Sequence, residues 1–269
     1  MTRYFEIRSP VNSFLNLFPA FLILLFLFVM SNSTPVLAAD DQVDVKTIID
    51  RMDKLYRSDA SYADVEMIVA SEHWKRTIAM NIWTEGMGKT FIYIKGPKKD
   101  EGIATLRIET EMWNYFQKIN KVMKVPPSMM MGSWMGSDFT NDDLVKESSM
   151  LEDYTHRLIH PENKEADKYY IELIPKIETP TVWGKFEITI RKSDYIPLSQ
   201  VYYDEKGKKM RIMTYSDVRQ LGSRKIPAVM EIVPLNKKGQ KAVIRYRDII
   251  FDEKVDKGVF TLRNLQKRR

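Results

Sequence analysis

The chain has 269 residues, of which 44% are apolar and 29% charged, with no cysteine and a net charge of +6. The lack of cysteine excludes a disulfide framework and a lipid anchor on a thiol, so the fold must hold by packing alone. Its 42 basic residues are spread among 36 acidic ones, with a small concentration only at Arg263, Lys267, Arg268 and Arg269, which excludes a nucleic-acid stripe.

The first element is an export segment. Arg3 and Arg8 precede an apolar run, Phe14 to Met30, broken by Asn16 and Pro19. Polar Ser31 to Pro35 then leads to Val36-Leu37-Ala38, a small-residue pattern suited to cleavage by a signal peptidase. The run is short for a spanning helix, which needs roughly 20 apolar residues. We therefore expect a signal peptide over 1–38, a single domain over 39–269 and a periplasmic location, with retention of the segment as an anchor as the alternative.

Val43 to Tyr56 places Val45, Ile48, Ile49, Met52 and Leu55 at helical spacing. From Tyr62 the period falls to two. Trp74, Ile78, Met80 and Ile82 alternate with Lys75, Thr77, Ala79 and Asn81, and Phe186, Ile188 and Ile190 with Glu187, Thr189 and Arg191. Met210 and Ile212 alternate with Arg211 and Met213, and Ala242, Ile244 and Tyr246 with Val243, Arg245 and Arg247. Turn signals at Glu85 to Gly88, Asp204 to Gly207 and Asn236 to Gly239 separate the runs. The pattern predicts an antiparallel meander of roughly ten strands, apolar on one face and charged on the other. A long sheet of this kind twists and curls. Curling around two helices, Val43–Tyr56 and one beginning near Thr140, gives an incomplete barrel whose interior is either a filled core or a pocket.

The most telling stretch runs from Trp113 to Leu144. Trp113 and Tyr115 share one face of an aromatic strand, expected to be the inner one, and Pro126-Pro127 then stops the pairing. Met129, Met130, Met131 and Met135 crowd around Trp134, which Gly132 and Gly136 bracket. Loops are usually polar because they cover the surface, so an apolar loop needs an apolar bed or guest; methionine suits either, being unbranched and polarizable. Thr140 and Asp143 have the spacing of a capping box, and Asp142 and Asp143 favour the positive end of a helix. Capping accounts for these residues without catalysis, while Asp138 is expected to hold the loop through backbone N–H groups.

The aromatic strand, the methionine-rich loop and above all the run WMGSDFTNDDL resemble the outer membrane lipoprotein-sorting protein family, relatives of the periplasmic carrier LolA. The resemblance implies a curved, incomplete β-barrel closed by a few helices over an apolar cavity. It also implies a role in carrying lipid or lipoprotein acyl chains, with an inner-membrane transporter and an outer-membrane acceptor as partners. The motif falls on Trp113, Tyr115, Ser133, Gly136, Ser137, Asp138, Phe139, Thr140, Asp143 and Leu144. Met80, Ile82, Trp113, Tyr115, Met129, Met130, Met131, Trp134, Met135, Phe139 and Leu144 are expected to meet the acyl chains. Gly132, Ser133, Gly136, Ser137, Asp138, Thr140 and Asp143 are expected to shape the lid.

Chemistry is sparse by comparison. His156 and His160 would lie roughly 13 Å apart along a strand, too far to share a metal. Asp138, Asp142 and Asp143 lack the spacing of a calcium loop, and the methionines have no histidine near them to complete a copper site. No enzyme activity, metal or cofactor is expected. The alternative to a carrier is an accessory subunit or sensor that uses the apolar loop to dock on a membrane export complex.

Overall fold

The computed structural model describes residues 44–145, 150–179 and 181–267; the expected export segment lies outside them. Helix α1 (Val45–Asp53) is capped by Asp44, whose carboxylate accepts from the Lys46 amide at 3.1 Å and the Thr47 hydroxyl at 2.8 Å. Its stripe of Ile48, Ile49 and Met52 is buried. The helix stops at Asp53, before the expected Tyr56, and the Arg224 guanidinium donates to the freed carbonyl of Lys54 at 2.9 Å.

A first meander follows: β1 (Ala60–Ala70), β2 (Lys75–Glu85), β3 (Lys89–Gly96), β4 (Ala104–Ile108), β5 (Glu111–Phe116) and β6 (Lys121–Lys124). After α2 (Asn141–Val145), the second meander contains β7 (Tyr154–Leu158), β8 (Lys168–Pro175), β9 (Lys185–Arg191) and β10 (Pro197–Tyr203). It continues through β11 (Lys209–Leu221), β12 (Arg224–Pro234) and β13 (Lys241–Phe251), and helix α3 (Leu262–Leu265) follows. The protein is mainly β: among the described residues a curved and open antiparallel sheet has thirteen strands in the order β6-β5-β4-β3-β2-β1-β13-β12-β11-β10-β9-β8-β7. Alternation alone indicated about ten because several strands are too short to show it. The meanders join where β1 pairs with β13, from Ser61 opposite Phe251 to Ala70 opposite Lys241.

The main core lies on one face of this sheet. It joins Val65, Met67, Met80 and Ile94 of the first meander to Ile171, Ile188 and Ile232 of the second, beneath α1. Three expectations about facing are corrected. Trp74 lies before β2 and is 49% exposed. On β11 the inward residues are Arg211 and Met213, so Met210 and Ile212 stand on the other face; the Arg211 charge is matched inside, which hydropathy cannot register. Finally, the sheet is not charged throughout its second face. Over β3 to β5 a smaller core of Phe91, Leu106 and Tyr115 is covered by Phe260 and Leu265 from the C-terminal segment.

Candidate functional site

Strands β6 and β7 are consecutive in the chain yet form opposite edges of the sheet. The connection between them, residues 125–153, must therefore travel from one edge to the other, and its described residues, among them Val125, Met130, Leu144 and Leu151, pack on the main core. The loop is apolar because its bed is apolar.

Its tip is a tight, self-bonded hairpin. The Trp134 amide donates to the Phe139 carbonyl at 2.8 Å and the Asn141 amide to the Gly132 carbonyl at 2.9 Å. Inside the turn, the Ser137 hydroxyl donates to the Trp134 carbonyl at 2.7 Å and accepts from the Phe139 amide at 3.1 Å. Ser133 donates to the Ser137 carbonyl. Met135 and Gly136 both take positive φ, 52° and 72°, which turns the chain at the tip. The capping box forms as expected: the Thr140 amide donates to Asp143 Oδ2 at 2.8 Å and the Asp143 amide to Thr140 Oγ1 at 3.0 Å.

This hairpin drives two aromatics into the main core. Trp134 is 4% exposed and Phe139 6%, and the Trp134 indole N–H donates to Thr105 Oγ1 of β4 at 3.3 Å. Met80 is fully buried in the same core, and Ile82, Met130, Met135 and Leu144 pack against it. Met129 and Met131 are exposed instead. Trp113 and Tyr115 share a face as expected, but it is the opposite one, where they join the core beneath α3. They cannot line the same interior as Trp134, since their neighbour Met112 already belongs to the main core.

Polar latches hold the hairpin at its rim. Arg76 of β2 donates to the Met135 carbonyl at 3.4 Å and pairs with Asp100 at 2.7 Å. Lys237 pairs with Asp138 at 3.1 Å, so Asp138 holds the loop through a charge and not through backbone amides. The strongest latch is Arg211, whose two terminal nitrogens donate to Asp143 at 2.8 and 2.6 Å. Its guanidinium also lies 4.0 Å from the Tyr202 ring centre and 4.6 Å from that of Trp183. Burial alone would raise the Asp143 pKa, but hydrogen bonds from Arg211 and the attraction of its charge prevail, holding the carboxyl below the usual range. Burial pushes the Tyr202 phenol up to about 12 despite the opposing Arg211 charge, so it stays neutral. Periodicity signalled none of the latching cations Arg76, Arg211 and Lys237, because each is defined by a partner far along the chain.

The chain's own side chains thus occupy the concave face. Beside the hairpin tip an open groove of about 660 Å³ runs between Trp74, Arg76, Pro97, Lys99 and Gly136. Among the described residues no group of three or more His, Asp or Glu could hold a metal, and no helix is long and apolar enough to cross a membrane.

A family model described as "Uncharacterized protein" matches residues 86–267, more than half of the chain. The chain belongs to this family. Solved proteins share the same sheet. One is a DUF1329 family protein from Desulfovibrio piger, 20% identical, with a TM-score of 0.74 over 82% of this chain and 97% of that one. A putative outer membrane lipoprotein-sorting protein domain from Vibrio parahaemolyticus is 20% identical, with a TM-score of 0.71 over 82% and 98%. A LolA superfamily protein from Nitrosomonas europaea is 17% identical, with a TM-score of 0.69 over 82% and 99%. The fold is LolA-like. No curated protein matches the chain.

Proposed function

We propose that this protein is a non-enzymatic carrier of the periplasm, its domain 39–269 sheltering lipid or lipoprotein acyl chains beneath the 125–153 crossover. The observation that carries this reading is the plug: Trp134 and Phe139 fill the concave core from a loop that polar contacts latch at its rim. Two buried aromatics withdraw about 400 Å² from water, which amounts to about 10 kcal/mol at about 25 cal/mol/Å². An acyl chain of about a dozen methylenes, at about 0.8 kcal/mol each, would replace that burial. Plug and guest are therefore near-equal occupants, and a near-balanced exchange is what loading and release require. Met129, Met130, Met131 and Met135 would follow the guest as the hairpin lifts, because their side chains repack readily. The donor and acceptor would be an inner-membrane transporter and an outer-membrane partner.

Native mass spectrometry and solvent extraction of the purified protein test the reading. Co-purifying lipid is expected, together with saturable binding of a fluorescent fatty-acyl probe that alters the emission of Trp134, identified by its loss in Trp134→Phe. Absence of lipid together with absence of probe binding would refute it.

A further inference from the structure

In an antiparallel meander alternate turns gather at the same end of the sheet. The β1–β2, β3–β4 and β5–β6 turns share one end with the β8–β9, β10–β11 and β12–β13 turns, because Ala70 at the end of β1 faces Lys241 at the start of β13. Contacts confirm the assembly. Lys118 donates to the Lys99 carbonyl at 2.8 Å, a Cβ on Gly239 would meet the Glu72 side chain, and Lys237 holds Asp138 of the hairpin. This end is also where the groove beside Gly136 opens.

The two ends of the sheet differ sharply. The six turns at the hairpin end contain eight lysines against six acidic residues, whereas the five turns at the other end contain two lysines against five acidic residues. Exposed large apolar residues of the turns follow the same division. Trp74, Ile119, Ile177, Val182 and Leu235 are exposed in the hairpin-end turns, Ile177 completely and Ile119 by 67%; among the described residues none is exposed in the opposite turns, and only Met123 and Ile250 are exposed on the strands close to that end. Exposed apolar side chains on several separate turns, set among lysines, do not form one continuous dry patch of the kind that seats a folded partner. They do match a bilayer interface, where apolar side chains enter the acyl boundary while lysine stems extend to the phosphates.

We propose that the hairpin end of the barrel docks on an anionic bilayer surface, with Trp74, Ile119, Ile177 and Leu235 entering the interface and lysines such as Lys98, Lys206 and Lys238 meeting the headgroups. Docking in this pose would set the groove beside Gly136 against the membrane. The inference rests on the charge and exposure of the rim, and it would hold even if the interior bound no guest.

Flotation of the protein, purified as cells process it, with vesicles tests the proposal. Binding to phosphatidylglycerol/phosphatidylethanolamine vesicles is expected to exceed binding to phosphatidylcholine vesicles by at least about tenfold and to weaken in about 1 M salt. Lys98→Glu/Lys206→Glu/Lys238→Glu and Ile177→Ser/Leu235→Ser should each lower binding by about tenfold or more. Lys164→Glu/Lys254→Glu at the far end should leave it unchanged. Brominated lipids should quench a component of the emission that disappears in Trp74→Phe. Equal binding to both vesicle types, equal loss in the far-end variant, or no flotation would overturn the proposal. Binding of a soluble acyl probe, measured without vesicles, reads the carrier function separately and should be unaffected by the rim substitutions.

Discussion

Arg211 is a cation placed on the inner face of a strand, and its surroundings explain why the fold tolerates it. Two hydrogen bonds to Asp143 and two aromatic faces replace the water it has lost. Removing one member of such a pair strands the other, so Arg211→Met is expected to lower stability by about 3–5 kcal/mol in urea unfolding, with Asp143→Asn less severe because an amide can still cap α2. The pair also sets an acid limit. Because the folded-state pKa of Asp143 is depressed, its contribution is complete above the ordinary carboxylate range and is lost as pH falls through the depressed value. Acidification should therefore release the hairpin, read as a change in Trp134 emission, and Asp143→Asn should flatten that transition. Trp134→Ala is expected to destabilise the protein by about 3–5 kcal/mol, and an added acyl ligand should restore part of the loss by occupying the vacated space. Of these residues the sequence made Trp134 and Asp143 visible, one by its glycine flanks and the other by its capping spacing. Arg211 stayed hidden because an arginine beside Met210 and Ile212 looks outward unless the acid 68 positions away is known.

The C-terminal segment is an element whose role only the structure reveals. Leu265 and Phe260 cover Phe91, Leu106 and Tyr115 on the face away from the hairpin. Periodicity shows that Trp113 and Tyr115 lie together, but not which face is covered, since that depends on a segment some 145 residues later. Two cores on two faces predict separable effects. Phe260→Ala should cost about 3 kcal/mol in thermal or urea unfolding while leaving acyl-probe affinity unchanged. Met80→Ala, in the main core, should alter both stability and probe binding. The hairpin was legible for the opposite reason, because almost everything that shapes it is local: Gly132, Ser137, Thr140 and Asp143 bond within ten residues of one another.

At the scale of the whole molecule, the curved antiparallel sheet was legible because its turns and its longer strands carry their own signals, while the short strands and the order of the edges were not. Among the described residues every strand pairing except one joins neighbours in sequence; the exception is β1 with β13, whose partners Ser61 and Phe251 stand 190 positions apart. Hydrogen exchange should find this seam among the last amides to open, since it lies at the middle of the sheet with main-core residues such as Val65 and Met67 along it. The same feature governs how the chain reaches its native state. Hairpins close over short loops and form quickly, whereas the seam must wait for the loss of entropy of a loop of nearly the whole domain. Two half-sheets should then accumulate before they zip together. Substitutions confined to the seam, such as Ile249→Ala, should quicken unfolding more than they slow folding. Until that zipping occurs, β1 and β13 each present an open ladder, so refolding at high concentration should yield exchanged dimers in which the half-sheet of one chain completes that of another.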